Sequence, residues 1–199
     1  MAGSGPENAA TLAAISVVAA AQGGYLTARQ AARAGCDGAA IRAGLNRGAL
    51  VRVHGNLIRV ANWPIGPLDE YAKWCALFEG AAVVSHQSAA ELYGLGRLRP
   101  RFVHLTSARP APAGLGQVAV RRGHLTAAEV ALVGTFGVTT PVRTILDLAD
   151  TGISQHALDE VVGDALAIGR VEQVQLATAA AERPAPVAAR VAAALAETC

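Results

Sequence analysis

Lysine is almost missing from this chain: Lys73 stands alone against sixteen arginines. With so much alanine and glycine around it, the imbalance reflects a GC-rich coding sequence, and it is no nucleic-acid signal in itself. It also leaves a kinase-type lysine–glutamate pair with one poorly placed candidate. Cysteine is scarce too. Cys36, Cys75 and Cys199 are odd in number, far apart and without CxxC spacing, which excludes a disulfide framework and a zinc site and predicts reduced thiols. The five histidines (54, 86, 104, 124 and 156) have no metal-ligand spacing either, so no metal and no cofactor are expected. No P-loop pattern occurs, and the Gly-x-Gly sequences at 94–96 and 114–116 lack the strand-to-helix setting that cradles a phosphate. Long apolar runs are absent as well. The nearest, residues 12–21, is too short to span a bilayer, no Lys or Arg precedes it, and Glu7 sits where a signal peptide carries positive charge. Neither a membrane segment nor a signal peptide is expected, and the cytoplasm is the expected location.

What is present is charge sorted by segment. The whole chain is only +2, yet residues 1–66 hold six arginines against Glu7 and Asp37. From Arg97 to Arg122 there are six arginines (97, 99, 101, 109, 121 and 122) and no acid. Residues 146–199 reverse the sign, with eight acids against Arg170, Arg183 and Arg190. Such asymmetry points to one nucleic-acid face and one acidic face.

Residues 27–60 read as two short helices followed by a basic hairpin. Thr27 is a helix cap, with Ala28, Ala31 and Ala32 facing inward, Arg29 and Arg33 outward, and Gly35 as the stop. Asp37 caps the next helix, whose Ile41 and Leu45 mark the buried side while Arg42 and Asn46 point away, with Arg47 on the flank and Gly48 at the end. Two strands then flank Gly55-Asn56, a two-residue loop with Gly where a type II′ turn wants it. That loop predicts Val53 opposite Ile58 and Val51 opposite Val60, an apolar face, and Arg52 directly opposite Arg59 with His54 beside them. Like charges opposed across a strand pair are destabilising, so this face predicts a polyanion partner. Helix, helix, basic hairpin is the order of a winged helix-turn-helix. Double-stranded DNA is therefore the expected partner, with Arg29, Arg33, Arg52, His54 and Arg59 toward the backbone. Arg42 and Asn46, with Arg47 beside them, would lie at base edges in the major groove. Arg121 and Arg122 are expected as accessory DNA contacts. The first helix of this domain comes from Leu12, Ile15, Val18 and Ala19.

The breaker-rich stretch 62–67 predicts a boundary, giving a winged helix-turn-helix over 1–66 and an α+β domain over 67–199. In the second part, helices are expected at about 67–79, 85–93, 141–149, 154–168, 171–182 and after Pro186. Strands are expected near 83–84, 102–106, 117–121 and 136–139, with one helical turn at 126–130. Thr140-Pro141 is a strong helix start. The fold class expected overall is α+β, ending in a helical C-terminal part.

Three tracts carry a family likeness: residues 24–60, the sequence 85–95 (Ser-His-Gln-Ser-Ala-Ala-Glu-Leu-Tyr-Gly-Leu), and 137–149 (Gly-Val-Thr-Thr-Pro-Val-Arg-Thr-Ile-Leu-Asp-Leu-Ala). In this order they resemble the AbiEi family of type IV antitoxins, over about residues 20–180. The resemblance implies an N-terminal winged helix that represses its own promoter and a C-terminal domain that counteracts a cognate toxin of the nucleotidyltransferase type. One departure is the second helix, where Gly38, Ala43, Gly44 and Asn46 stand in place of the arginines of relatives.

Enzymatic signals are weak. Asp159, Glu160 and Asp164 share one helix, but read better as its solvated face than as a hydrolytic metal site. Ser85 and His86 are neighbours, and neighbouring helix residues diverge, so they read as a cap and a bystander and not as a nucleophile and its base. The protein is read as a non-enzyme. The same three acids are the expected toxin contacts, with the last helix (Val187, Val191, Leu195) docking its apolar stripe on the partner. The alternative is a winged-helix regulator whose α+β domain senses a ligand or dimerises, with no toxin. A minor alternative is an antitoxin that modifies its toxin covalently, for example by phosphorylation. A homo-oligomer is compatible with either reading.

Overall fold

The structure, a computed structural model, describes residues 6–198, and side chains from Ala13 onward. Leu12 and Cys199, both named above, lie outside the described side chains. Two compact units are present: residues 1–82 with 132–136, and residues 83–131 with 137–199. The division thus falls after Ala82, beyond the 62–67 connector, because the helix that follows the connector packs with the first unit.

In that first unit the order is α1 (Pro6–Ala20), β1 (Tyr25–Thr27), α2 (Ala28–Arg33), α3 (Gly38–Asn46), β2 (Leu50–His54), β3 (Leu57–Val60) and α4 (Asp69–Leu77). The sheet is three-stranded, antiparallel, in the order β1-β3-β2. This is the winged-helix order, with β1 added to the expected hairpin. Ile15, Ala19, Leu26, Ala31, Cys36, Ile41, Leu50 and Ile58 form its core. Thr27 makes a full capping box with Gln30, and Asp37 accepts from the Ala40 N–H at 2.7 Å, so both helix starts follow from local sequence.

The hairpin register differs from the expected one. His54 does pair with Leu57 around Gly55-Asn56, but an irregularity between Arg52 and His54 shifts the rest, placing Arg52 opposite Ile58 and Val51 opposite Arg59. One extra residue in one strand exchanges the faces beyond it. Arg52 and Arg59 are therefore not opposed, and Val51 and Val53 are exposed instead of forming an apolar face.

The second part of the chain contributes β4 (Ala82–Val84), α5 (His86–Tyr93), β5 (Val103–Ser107), β6 (Val118–Arg122), a 3₁₀ turn (Ala127–Glu129), β7 (Val130–Val133) and β8 (Phe136–Thr139). The helices α6 (Pro141–Ala149), α7 (Gln155–Ala167), α8 (Gln173–Ala181) and α9 (Ala185–Glu197) follow. The five strands run β6-β5-β4-β8-β7, with β5–β6 and β4–β8 parallel. Leu146, Leu148, Leu158, Val161, Leu176, Val187, Val191 and Leu195 belong to one helical core. The apolar stripe of α9 is thus buried within its own unit. The expectation that it docks on a partner is overturned, because α7 and α8 already cover it. The Arg190 guanidinium fixes that packing by donating to the carbonyls of Ala149, Thr151 and Ile153 at 2.6–2.8 Å. Among the described residues no helix is long and apolar enough to cross a membrane.

Candidate functional site

The first candidate surface lies on α3 and the hairpin. Ile41 and Gly44 face inward, and Gly44 lies so close to β2 that an added Cβ would meet Leu50 Cδ1 at 2.7 Å. This contact turns the opposite side of α3 outward, leaving Arg42, Asn46 and Arg47 exposed. Arg52 is exposed on β2, and its Nη1 donates to the Gly55 carbonyl at 2.8 Å, which folds the side chain toward the hairpin tip. Arg and Asn side chains on an exposed helix face have the donor geometry for guanine and adenine edges.

The other four residues expected at DNA have partners inside the first unit. Arg29 donates to both oxygens of Glu79 at 2.9 and 2.6 Å, and Arg33 adds a contact at 3.3 Å. Thr27 Oγ1 donates to the same carboxylate at 2.6 Å. The hydrogen bond from Arg29 is the chief reason the Glu79 carboxyl is held down at about 2. Both guanidinium groups stay more than half exposed. Arg59 is a clearer departure. It is only 11% exposed, donates to the Trp63 carbonyl at 2.6 Å, lies 3.8 Å from Asp69, and stacks 5.6 Å above the Tyr25 ring. His54 is half-buried with its ring edge-on to Trp74, 5.4 Å between centroids. Arg59 and His54 therefore serve the fold. His54 keeps its expected place opposite Leu57, and both side chains are taken up by partners outside the hairpin, which no local signal marked.

Within the second unit, Arg121 and Arg122 are both exposed, but successive residues on a strand point to opposite faces. They do not form one patch. Arg121 lines a cavity of about 210 Å³ with His86, Gln87, His104, Thr151, Gly152 and Ile153. His86 opens α5 in the left-handed region at φ 54, a conformation that side chains rarely adopt. That backbone folds the ring back, so its Nδ1 lies 2.8 Å from Ser85 Oγ. The expected divergence of these neighbours is thus corrected. Ser85 makes no side-chain cap bond, contrary to its reading as a cap. Its hydroxyl is fully buried and also accepts from Thr106 Oγ1 at 2.8 Å. Burial, above all, pushes the His86 imidazole down to about 3, so it is a poor base for Ser85. The His104 imidazole is lowered as well, again chiefly by burial, and its Nδ1 is buried without a partner.

A second cavity, about 550 Å³, is lined by Glu129, Thr140, Arg143, Arg170, Glu182 and Arg183 among others. Arg143 ties it together, donating to Glu129 at 2.6 Å and to Asp147 at 2.7 Å. Burial raises the Asp147 carboxyl despite that guanidinium. Among the described residues, no three His, Cys, Asp or Glu side chains converge in a way that would hold a metal.

The three acids of α7 differ from one another. Asp159 is half-buried and accepts from Gln155 Nε2 at 2.7 Å; Asp164 is exposed and accepts from the Gly96 N–H at 2.8 Å. Glu160 faces His156 at 3.8 Å. They are spread along the outer side of α7 and do not form a cluster. Glu79, Tyr25 and Arg190 are the important polar side chains that sequence reasoning missed, since each meets a partner at least 41 residues away.

Residues 81–197 match the family model described as the AbiEi antitoxin C-terminal domain. Among solved structures, the chain is similar to a crystal structure of the RV2827C protein from Mycobacterium tuberculosis. That likeness has a TM-score of 0.59 and 20% identity, covering 97% of this chain and 78% of the other. At that identity it speaks for the fold alone. No curated protein matches the sequence.

Proposed function

The chain belongs to the AbiEi antitoxin family, and from that premise we propose that it is the antitoxin of a type IV toxin–antitoxin pair and represses its own promoter. The observation that carries the DNA part is the outward face of α3, where Arg42, Asn46 and Arg47 stand exposed on a helix held by Ile41 and Gly44. In the proposed complex α3 enters the major groove, Arg42 and Asn46 meet base edges, and Arg52 grips a phosphate from the hairpin. Arg29 and Arg33 would reach phosphates only by sharing or leaving Glu79, so they are secondary contacts. Arg59 and His54 play no part in this interface. The partner toxin is proposed to be of the nucleotidyltransferase type. Such a protein needs a positive cleft for its polyanionic substrates, and the acidic C-terminal segment, residues 146–199, offers the complementary charge.

Binding of the full-length protein to its promoter fragment and to random duplex, across a salt series, tests the DNA part. Arg42→Ala should lose about 1–3 kcal/mol on the promoter and little on random DNA. Arg52→Ala should lower affinity on both duplexes and flatten the log–log salt slope by roughly one. Full promoter preference in Arg42→Ala would remove α3 as the reader.

A further inference from the structure

We propose that the cavity bounded by α5, β5, β6 and residues 151–153 is a binding site for a phosphate-sized oxyanion. Its lining combines one guanidinium, two imidazoles and a side-chain amide (Arg121, His86, His104 and Gln87) with no carboxylate. Every charged or strongly polar group there can donate a hydrogen bond, and the only full charge is positive. That composition selects an anion.

The protonation of His86 strengthens the assignment. Thr106 Oγ1 donates to Ser85 Oγ, and the fully buried Ser85 hydroxyl must then place its own hydrogen on His86 Nδ1, its one remaining partner. The ring proton accordingly sits on Nε2. His86 is only 6% exposed and lines the cavity, and its side-chain hydrogen bond uses Nδ1, leaving Nε2 open to a ligand there. His104, in the same lining, has its Nδ1 buried without a partner; an unpaired buried nitrogen is costly, and an anion oxygen would satisfy an N–H there. The His86 and His104 rings are 6.3 Å apart between centroids, close enough for one tetrahedral anion to reach both. His86 is also the first residue of α5, whose N-terminus has no side-chain cap, so its leading N–H groups add partial positive charge.

Size narrows the class. At about 210 Å³ the cavity is below the roughly 300–1,000 Å³ of drug-sized ligand pockets. It suits free inorganic phosphate, or the phosphoryl end of a larger molecule whose remainder stays outside. Two imidazoles beside Arg121 make a poor cation site, because the guanidinium repels a metal ion.

The test titrates the full-length protein, in chloride buffer, with inorganic phosphate and separately with ribose 5-phosphate. Heat is read by calorimetry and the histidine ring nitrogens by NMR. Saturable binding should move the His86 and His104 signals, and bound anion should shift both imidazoles toward protonation. Arg121→Gln should weaken binding about tenfold or more, through loss of one charge-assisted hydrogen bond. Arg122→Gln, on the opposite face of β6, should leave it unchanged. Equal affinity for the two ligands assigns free phosphate; tighter ester binding assigns a phosphorylated metabolite. No saturation in the millimolar range, or equal weakening by Arg121→Gln and Arg122→Gln, overturns the proposal. So does weaker DNA binding by Arg121→Gln in a protein that ignores phosphate.

Discussion

Glu79 concentrates more of the first unit's electrostatics than any other residue. Its side chain is 8% exposed, its backbone is left-handed at φ 53, and its carboxylate takes hydrogen bonds from Thr27, Arg29 and Arg33. A carboxyl held at about 2 in the fold and near 4.5 when unfolded stabilises the native state above its unfolded value. That contribution is lost as pH falls through the window from about 4.5 to 2. The full shift would be worth about 3 kcal/mol, and screening of the exposed arginines reduces it to roughly 1–2 kcal/mol. Glu79→Gln should therefore lower stability by that amount at neutral pH and flatten the fall of Tm with acid. Parallel Tm profiles for the two proteins between pH 5 and pH 2 would contradict this role.

Elements in this protein are set by local caps and then fixed by distant packing. Ser154 and Thr140 start α7 and α6 through side-chain bonds to Ala157 and Arg143. Leu158, Val161 and Val162 then form the buried face on which α9 lies. Filling that face internally leaves α9 unable to offer its stripe to another protein. Leu158→Ala should cost about 2–5 kcal/mol through lost burial and the cavity left behind. Hydrogen exchange should quicken across α6, α7 and α9, while amides of the α1–α3 core keep their protection. Unchanged exchange in α9 would mean that it does not depend on α7.

At the scale of the whole molecule, the sign of charge separates the basic N-terminal part from the acidic C-terminal part. The outer side of α7 is the surface to test for toxin recognition. Truncation after Asp150 would be a poor test, since it removes the helices that bury Ile145, Leu146 and Leu148. A triple variant, Asp159→Asn with Glu160→Gln and Asp164→Asn, keeps the acceptors that hold Gln155 and Gly96 while removing three charges. Association with the toxin should slow roughly tenfold at low salt, with promoter binding intact. Co-expression should restore toxicity; full protection by the variant would move the toxin surface elsewhere.

The sequence by itself determined whatever a few neighbouring residues encode. Thr27, Asp37, Thr140-Pro141 and Ser154 marked helix starts, the Gly55-Asn56 loop marked the hairpin, and helical spacing put Arg42, Asn46 and Arg47 on the outer side of α3. Two of its three family tracts, 85–95 and 137–149, likewise anticipated the antitoxin domain that residues 81–197 match. Tertiary structure decided the rest. Strand β1 has three residues, too few for a period to be visible, and exists only because β3 pairs with it. The irregularity between Arg52 and His54 moved Arg52 out from opposite Arg59, and Asp69 and Tyr25 took up the Arg59 guanidinium. Glu79 meets Thr27 from 52 positions away, and Ser85 turns to His86 and Thr106 instead of capping α5. Caps and periodicities are short-range preferences written within one or two turns of chain. Register, ion pairing and helix docking are set by which distant surfaces bury one another, and no local window contains both partners.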